Sequence, residues 1–235
     1  MRAIYYYRDG GNDFFVIMKR GECIWDSRRS TAYNKTTNIK IGECYDIEYT
    51  ENKDPSSKRE REGGNYFTII TNRHNSTFEE RKQNIFEAMK IIIDEFYTTK
   101  VELKDTYEIK KNVFFAENGY VFDIYMGFQA IAKLYRQEKL LNISKIVNEY
   151  YKKVNLEATK IFERKDGETD TSLQCIEYVK RVKKRDFGFF TSKEKVIKHI
   201  HKLIQNFAKK SYNDLIDELQ DKTLQHFKYP EMENN

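Results

Sequence analysis

Proline is almost missing from this chain: Pro55 and Pro230 are the only two in 235 residues. Element boundaries must therefore be read from glycines, polar clusters and changes of hydrophobic period. Cysteine is scarce as well. Cys23, Cys44 and Cys175 are odd in number and widely spaced, which argues against a disulfide framework and for a reducing, cytoplasmic setting. No Cys-x-x-Cys pair occurs, and His199 and His201 fall about 200° apart on a helix, so a structural zinc site is not expected. No run of about 18 apolar residues exists, so no membrane span is expected. The opening Met1-Arg2-Ala3-Ile4-Tyr5 reads as the start of a strand rather than as a signal peptide. Gly10-Gly11 and Gly63-Gly64 lack the Lys-Ser/Thr of a phosphate loop, and there is no nucleophile elbow. No small-molecule cofactor is expected.

What is present is enough for a folded core. Hydrophobic residues make up 39% of the chain and charged ones 34%, which excludes global disorder. Aromatics reach 14%, with 17 Tyr and 16 Phe, so much of the core should be aromatic. The richness in Lys, Asn, Ile and Tyr fits an AT-rich coding sequence, such as that of a low-GC bacterium or its phage.

Residues 2 to 71 read as strands. The run Ala3 to Tyr7 ends at the turn signal Asp9-Gly10-Gly11-Asn12, and Phe14 to Met18 ends at Arg20-Gly21. Within Ile39 to Tyr49, Tyr45, Ile47 and Tyr49 alternate with Asp46, Glu48 and Thr50, the period of a half-buried strand. Tyr66 to Ile70 is another. Between the last two lies a polar stretch, Glu51 to Asn65, carrying Lys58, Arg59 and Arg61; a solvated hairpin tip is the expectation. Trp25, the only tryptophan, is expected in the core.

A helix follows. Ser76 or Thr77 can cap it, with Glu79 or Glu80 completing a capping box, and Phe78, Ile85, Phe86, Met89, Ile92, Ile93 and Phe96 recur at helical spacing. Asn118-Gly119, between Val113–Ala116 and Tyr120–Phe122, signals a type I′ hairpin with Phe115 opposite Phe122. Beyond Tyr125 the periodicity predicts helices over about 126–140, 143–164, 173–184, 193–210 and 212–227. Ser211 with Asp214 resembles a capping pair, so the last two are either separate or one bent helix. The expected fold is α+β: a strand-rich region 1–125 with one long helix and the Asn-Gly hairpin, then an all-helical region 126–235, which can share one core.

Charge is segregated along the chain. Residues 180–210 hold eleven basic side chains against two acidic ones, a net of +9, while 211–235 hold two lysines against six acids, a net of −4. On residues 193–210, Val196, Ile200, Leu203, Ile204 and Phe207 share one face, and Lys195, Lys198, Lys202 and Lys209 fall opposite. With Lys183, Lys184 and Arg185 just upstream, this stripe is the candidate contact surface for nucleic acid or an acidic protein partner. A plain solubilising face is the alternative.

Other motifs are weaker. Asp166 to Glu177 resembles an EF-hand calcium loop, with acids at loop positions 1, 3, 5 and 12, but Thr171 stands where the loop needs Gly; an acidic helix linker is expected. Arg185 to Thr191 resembles the aromatic stacking octamer of RRM domains, but Asp186 replaces its first Gly and the surroundings are helical. A Mg²⁺-dependent nuclease site is a second functional reading. It would use Asp46 and Glu48 with Lys53, or Asp123 with Glu163 and Lys165, the carboxylates holding the metal and the lysine stabilising phosphate charge. The first reading remains a non-enzymatic binding protein.

Overall fold

In a computed structural model, residues 2–9, 12–19, 22–27, 39–50, 66–72, 75–98, 126–162 and 193–230 are described. They form a mixed α+β protein. The Asn118-Gly119 hairpin, the segment 173–184, the calcium-loop likeness at 166–177 and the octamer at 185–191 all lie outside these residues.

Five strands build one sheet: β1 Arg2–Asp9, β2 Asn12–Lys19, β3 Glu22–Ser27, β4 Cys44–Thr50 and β5 Tyr66–Asn72. Their order is β3-β2-β1-β4-β5, and each neighbouring pair is antiparallel. Asp9 pairs with Asn12 and Lys19 with Glu22, so each of the first two hairpins closes over two residues, Gly10-Gly11 and Arg20-Gly21.

The central position of β1 explains its composition. Ala3, Ile4, Tyr5, Tyr6 and Tyr7 are all buried, so both faces of the strand are covered and the usual alternation disappears. One step out, alternation returns: Tyr45 and Ile47 on β4 are buried and Asp46 between them is half-exposed. The pairing of β1 with β2 slips between Tyr5 and Tyr7, which leaves Tyr6 as the extra residue of a bulge. Across three strands, Tyr5 meets Phe15 tilted at 5.3 Å and Phe15 meets Tyr45 edge-on at 6.2 Å between ring centres.

Helix α1, Phe78–Thr98, starts as its sequence says. Thr77 and Glu80 form the capping box: the Thr77 amide donates to Glu80 Oε2 at 2.7 Å, and the Glu80 amide donates to Thr77 Oγ1 at 3.2 Å. Its core face is Ile85, Phe86, Ala88, Met89, Ile92 and Ile93. Helix α2 covers residues 126–137 and is buried on most sides, through Phe128, Ala130, Ile131, Ala132, Leu134 and Tyr135. Phe78 meets Tyr135 edge-on at 5.3 Å. The helix ends in a two-bond closure: the Leu140 amide donates to the Tyr135 carbonyl at 2.8 Å, and the Lys139 amide to the Arg136 carbonyl at 3.0 Å. Lys139 takes φ 61° in this motif, a place where glycine is usual, at a steric cost of about 1 kcal/mol.

Helix α3 is Leu141–Phe162 and helix α4 is Lys193–Leu219; a 3-10 turn, Lys222–Phe227, follows. The chain forms two compact units that interleave in sequence. One contains Met1–Glu95 and Met126–Asn148; the other contains Phe96–Tyr125 and Glu149–Asn235. Among the described residues no helix is long and apolar enough to cross a membrane.

Gly127 is where α2 comes closest to its neighbours. A Cβ there would meet the Tyr6 hydroxyl and would lie 2.6 Å from Met89 Cγ on α1. Overpacking a buried contact costs about 1–3 kcal/mol, whereas Gly→Ala inside a helix returns only up to about 1 kcal/mol. Gly127→Ala is therefore expected to lower stability by about 1 kcal/mol or more, read from the midpoint of urea unfolding. A midpoint that rises would show that α2 is not seated on Tyr6.

Candidate functional site

Helix α4 carries the basic stripe, and it runs unbroken from Lys193 to Leu219. Of the two alternatives at Ser211, two helices or one, the structure has one. Ser211 is buried inside the helix, and its carbonyl accepts a 2.7 Å hydrogen bond from the Tyr150 hydroxyl on α3. Asp214 is an exposed residue one turn on, inside the same helix. In this half of α4 the buried stripe is Gln205, Ala208, Ser211, Tyr212, Leu215 and Ile216. Phe207, expected on the apolar face, is only half-buried. The described core face is thus rotated from the one that large apolar residues of 193–210 suggest, because Ala208 and Gln205 pack where a hydrophobicity count would not look.

The lysines divide accordingly. Lys202 and Lys210 are exposed. Lys209 is half-buried, with its Nζ 4.7 Å from the centre of the Tyr229 ring, a cation–π contact worth about 0.5–1 kcal/mol. Positions 195 and 198 lie on α4 within about 60° of 202 and 209 around its axis; their side chains lie outside what the structure describes. Lys183, Lys184 and Arg185, and the loop basics Lys58, Arg59 and Arg61, also lie outside the described residues.

Tyr229 belongs to a tail that folds back on α4. Gln220, at φ 48°, ends the helix, and Asp221 caps the 3-10 turn by accepting from the Thr223 amide at 3.0 Å. Leu224 is buried. Asn213 then grips the backbone of Tyr229 at both ends: its Oδ1 accepts from the Tyr229 amide at 2.9 Å, and its Nδ2 donates to the Tyr229 carbonyl at 3.1 Å. Tyr212 packs edge-on against the Tyr229 ring at 5.5 Å, and Lys228 pairs with Asp217. The sequence marks this tail only by its acidic charge and Pro230; no local signal announces an asparagine holding a backbone 16 residues away.

Of the residues in the nuclease reading, the described ones are Asp46 and Glu48, two apart on β4. Asp46 sits on β4 opposite Arg2 and Thr71, and Glu48 pairs with Thr68 further along the same strand. Lys53, Asp123, Glu163 and Lys165 lie outside the described residues. Among those described, no group of three or more His, Cys, Asp or Glu side chains could hold a metal ion.

A second polar cluster, unmarked in the sequence, lies where β1, β4 and α1 meet. Glu43 is 0% exposed, and its Oε1 accepts from the Ser76 hydroxyl at 2.5 Å and from the Ser76 amide at 3.2 Å. Arg81, also buried, donates to Glu138 Oε1 at 3.0 Å. Burial pushes the Tyr45 phenol above its ordinary range, against the opposing hydrogen bond that its oxygen accepts from the Lys40 amide at 2.9 Å. Glu43 and Ser76, and Arg81 and Glu138, are directed at one another within the same unit, while the buried Arg81 Nε has no hydrogen-bond partner.

Asn213→Ala removes both bonds to Tyr229 and strands its amide and carbonyl. The expected loss is about 1–3 kcal/mol in thermal unfolding. An unchanged transition would mean that the tail is not held by this residue.

Compared with protein-family models, with curated proteins and with solved structures, the chain matches none.

Proposed function

We propose that the chain is a non-enzymatic binding protein that lays the basic side of α4 against a polyanion, nucleic acid in the first instance and an acidic protein surface as the other form of the same chemistry. The observation that carries this reading is the exposure of Lys202 and Lys210 on a helix whose Gln205, Ala208, Tyr212, Leu215 and Ile216 are buried. The helix is anchored by one side and leaves ammonium groups in water on another.

Charge placement along the axis supports the same reading. The basic residues occupy the first two thirds of α4, and Asp214, Asp217 and Glu218 occupy its end. From position 195 to 209 the helix rises about 21 Å, the length of about six base steps in a duplex. Such a row contacts phosphates without reading sequence, so binding should be general and salt-dependent. Lys209 would contribute less than Lys202, because the Tyr229 ring already holds its ammonium group.

Lys198→Glu combined with Lys202→Glu is expected to weaken binding to duplex or single-stranded nucleic acid by roughly tenfold or more at low salt. The slope of log affinity against log salt should fall by about 2. Gel shift and anisotropy measure both, with far-UV circular dichroism to confirm an intact fold. A wild-type chain that binds no nucleic acid and no acidic protein, or a double variant that binds as well, removes the reading.

A further inference from the structure

We propose that the C-terminal tail is a strap across one end of the basic side of α4, and that a polyanion must compete with Tyr229 for Lys209. The proposal rests on the polyanion reading of α4 and adds its regulation; every residue it uses lies in one compact unit.

The strap runs back along the helix. Lys228 pairs with Asp217, and the next residue, Tyr229, is clasped by Asn213 and lays its ring against Lys209. Positions 217, 213 and 209 follow one another at one-turn spacing, so these contacts span about 12 Å of the helix axis. Lys202 lies seven residues before Lys209 and only about 20° from it around the axis. The strap therefore crosses the row that carries Lys202, at the row's C-terminal end. The exposures agree: Lys202 is exposed, Lys209 is half-buried and Tyr229 is 8% exposed. A phosphate chain laid along the row meets Lys202 in water and Lys209 beside a ring.

The strap is held in two grades. Its turn is fixed, for Leu224 is 0% exposed and Asp221 caps the turn through the Thr223 amide and hydroxyl. Its end is held by weaker means. The Lys228–Asp217 pair is partly exposed, and an exposed ion pair or a cation–π contact shifts an equilibrium by only a few-fold. The two hydrogen bonds from Asn213 both act on one residue, Tyr229. Opening can therefore be confined to Lys228 and Tyr229, with the turn in place.

The ring's hold on Lys209 is electrostatic, and an anion that neutralises the ammonium group weakens it. Coupling of this kind is reciprocal. Withdrawing the ring strengthens the polyanion's grip, and a bound polyanion loosens Tyr229 by the same factor. A tail that only stabilised the fold would be tightened, or left alone, by a ligand on α4.

The test uses the full chain with two probes, fluorescein-labelled oligothymidylate and fluorescein-labelled poly-Glu, in anisotropy titrations at low salt. Tyr229→Leu keeps an apolar side chain and removes the ring. It is expected to bind the probes roughly two- to five-fold more tightly than the wild type. For oligothymidylate the slope of log affinity against log salt should steepen by about 1. Lys209→Gln should cost more affinity in the Tyr229→Leu background than in the wild type. In the wild-type chain, hydrogen exchange at the Tyr229 amide should speed up when a probe is bound; this arm needs no variant and stands even if Tyr229→Leu disturbs the fold. Tyr229→Leu binding no more tightly than the wild type, or exchange at Tyr229 that slows or stays constant in the complex, overturns the proposal. A wild type that binds through Lys202 and gives either of those results loses the strap alone. Binding of neither probe by either chain removes the α4 reading and the strap with it.

Discussion

The turn from Lys40 to Glu43 is the joint of the sheet-containing unit. Gly42, at φ 79°, donates its amide to the Tyr5 carbonyl at 2.8 Å and thereby extends β1. Its own carbonyl accepts from Asn84 Nδ2 on α1 at 2.8 Å. A side chain at this position would run into the Arg81 backbone, whose carbonyl carbon is only 2.9 Å from where a Cβ would sit. Glycine is needed here twice over, for its backbone conformation and for the close approach of the helix. Glu43 completes the joint by binding Ser76, one residue ahead of the α1 cap. A buried carboxylate is costly unless hydrogen-bonded, so Glu43 and Ser76 hold one another in place, and with them the angle at which α1 meets the sheet.

From that joint the rest of the unit follows by packing. β1 is sealed on both faces, α1 lays Met89 near Tyr6, and Gly127 lets α2 reach the same spot. α2 is so thoroughly buried that its charged residues collect at its end. In the other unit the same economy appears with different parts. The Tyr150 hydroxyl and the Asn213 amide each satisfy backbone groups of distant segments, so that α3, α4 and the tail are fastened by single polar side chains among apolar neighbours.

Much of the local architecture was legible in the residues. Strand β1 was marked by its unbroken apolar run, its hairpin by Gly10-Gly11, and α1 by Thr77 and Glu80, because each of these signals is settled within a few residues of itself. Strand β3 carries no comparable mark: six residues with one tryptophan show too little period, and its pairing with β2 is what defines it. Ser211 with Asp214 resembles a cap and leaves one helix or two open; Tyr150, 61 residues away, accompanies its place in the interior of one. Glu43 looked like one acid among 37. Its burial depends on Ser76, and no periodicity reports a partner 33 residues off. The exposed lysine at 202 was expected; the aromatic ring over Lys209 was not, since it comes from beyond the end of the helix.

Cys44 is buried at the same joint, with Asn84 Nδ2 3.5 Å and an Arg2 guanidinium nitrogen 3.7 Å from its sulfur. An alkylating reagent in solution reaches that sulfur only after α1 has lifted from β4. The thiol is thus a clock set into the protein: its rate of labelling counts how often the helix leaves the sheet.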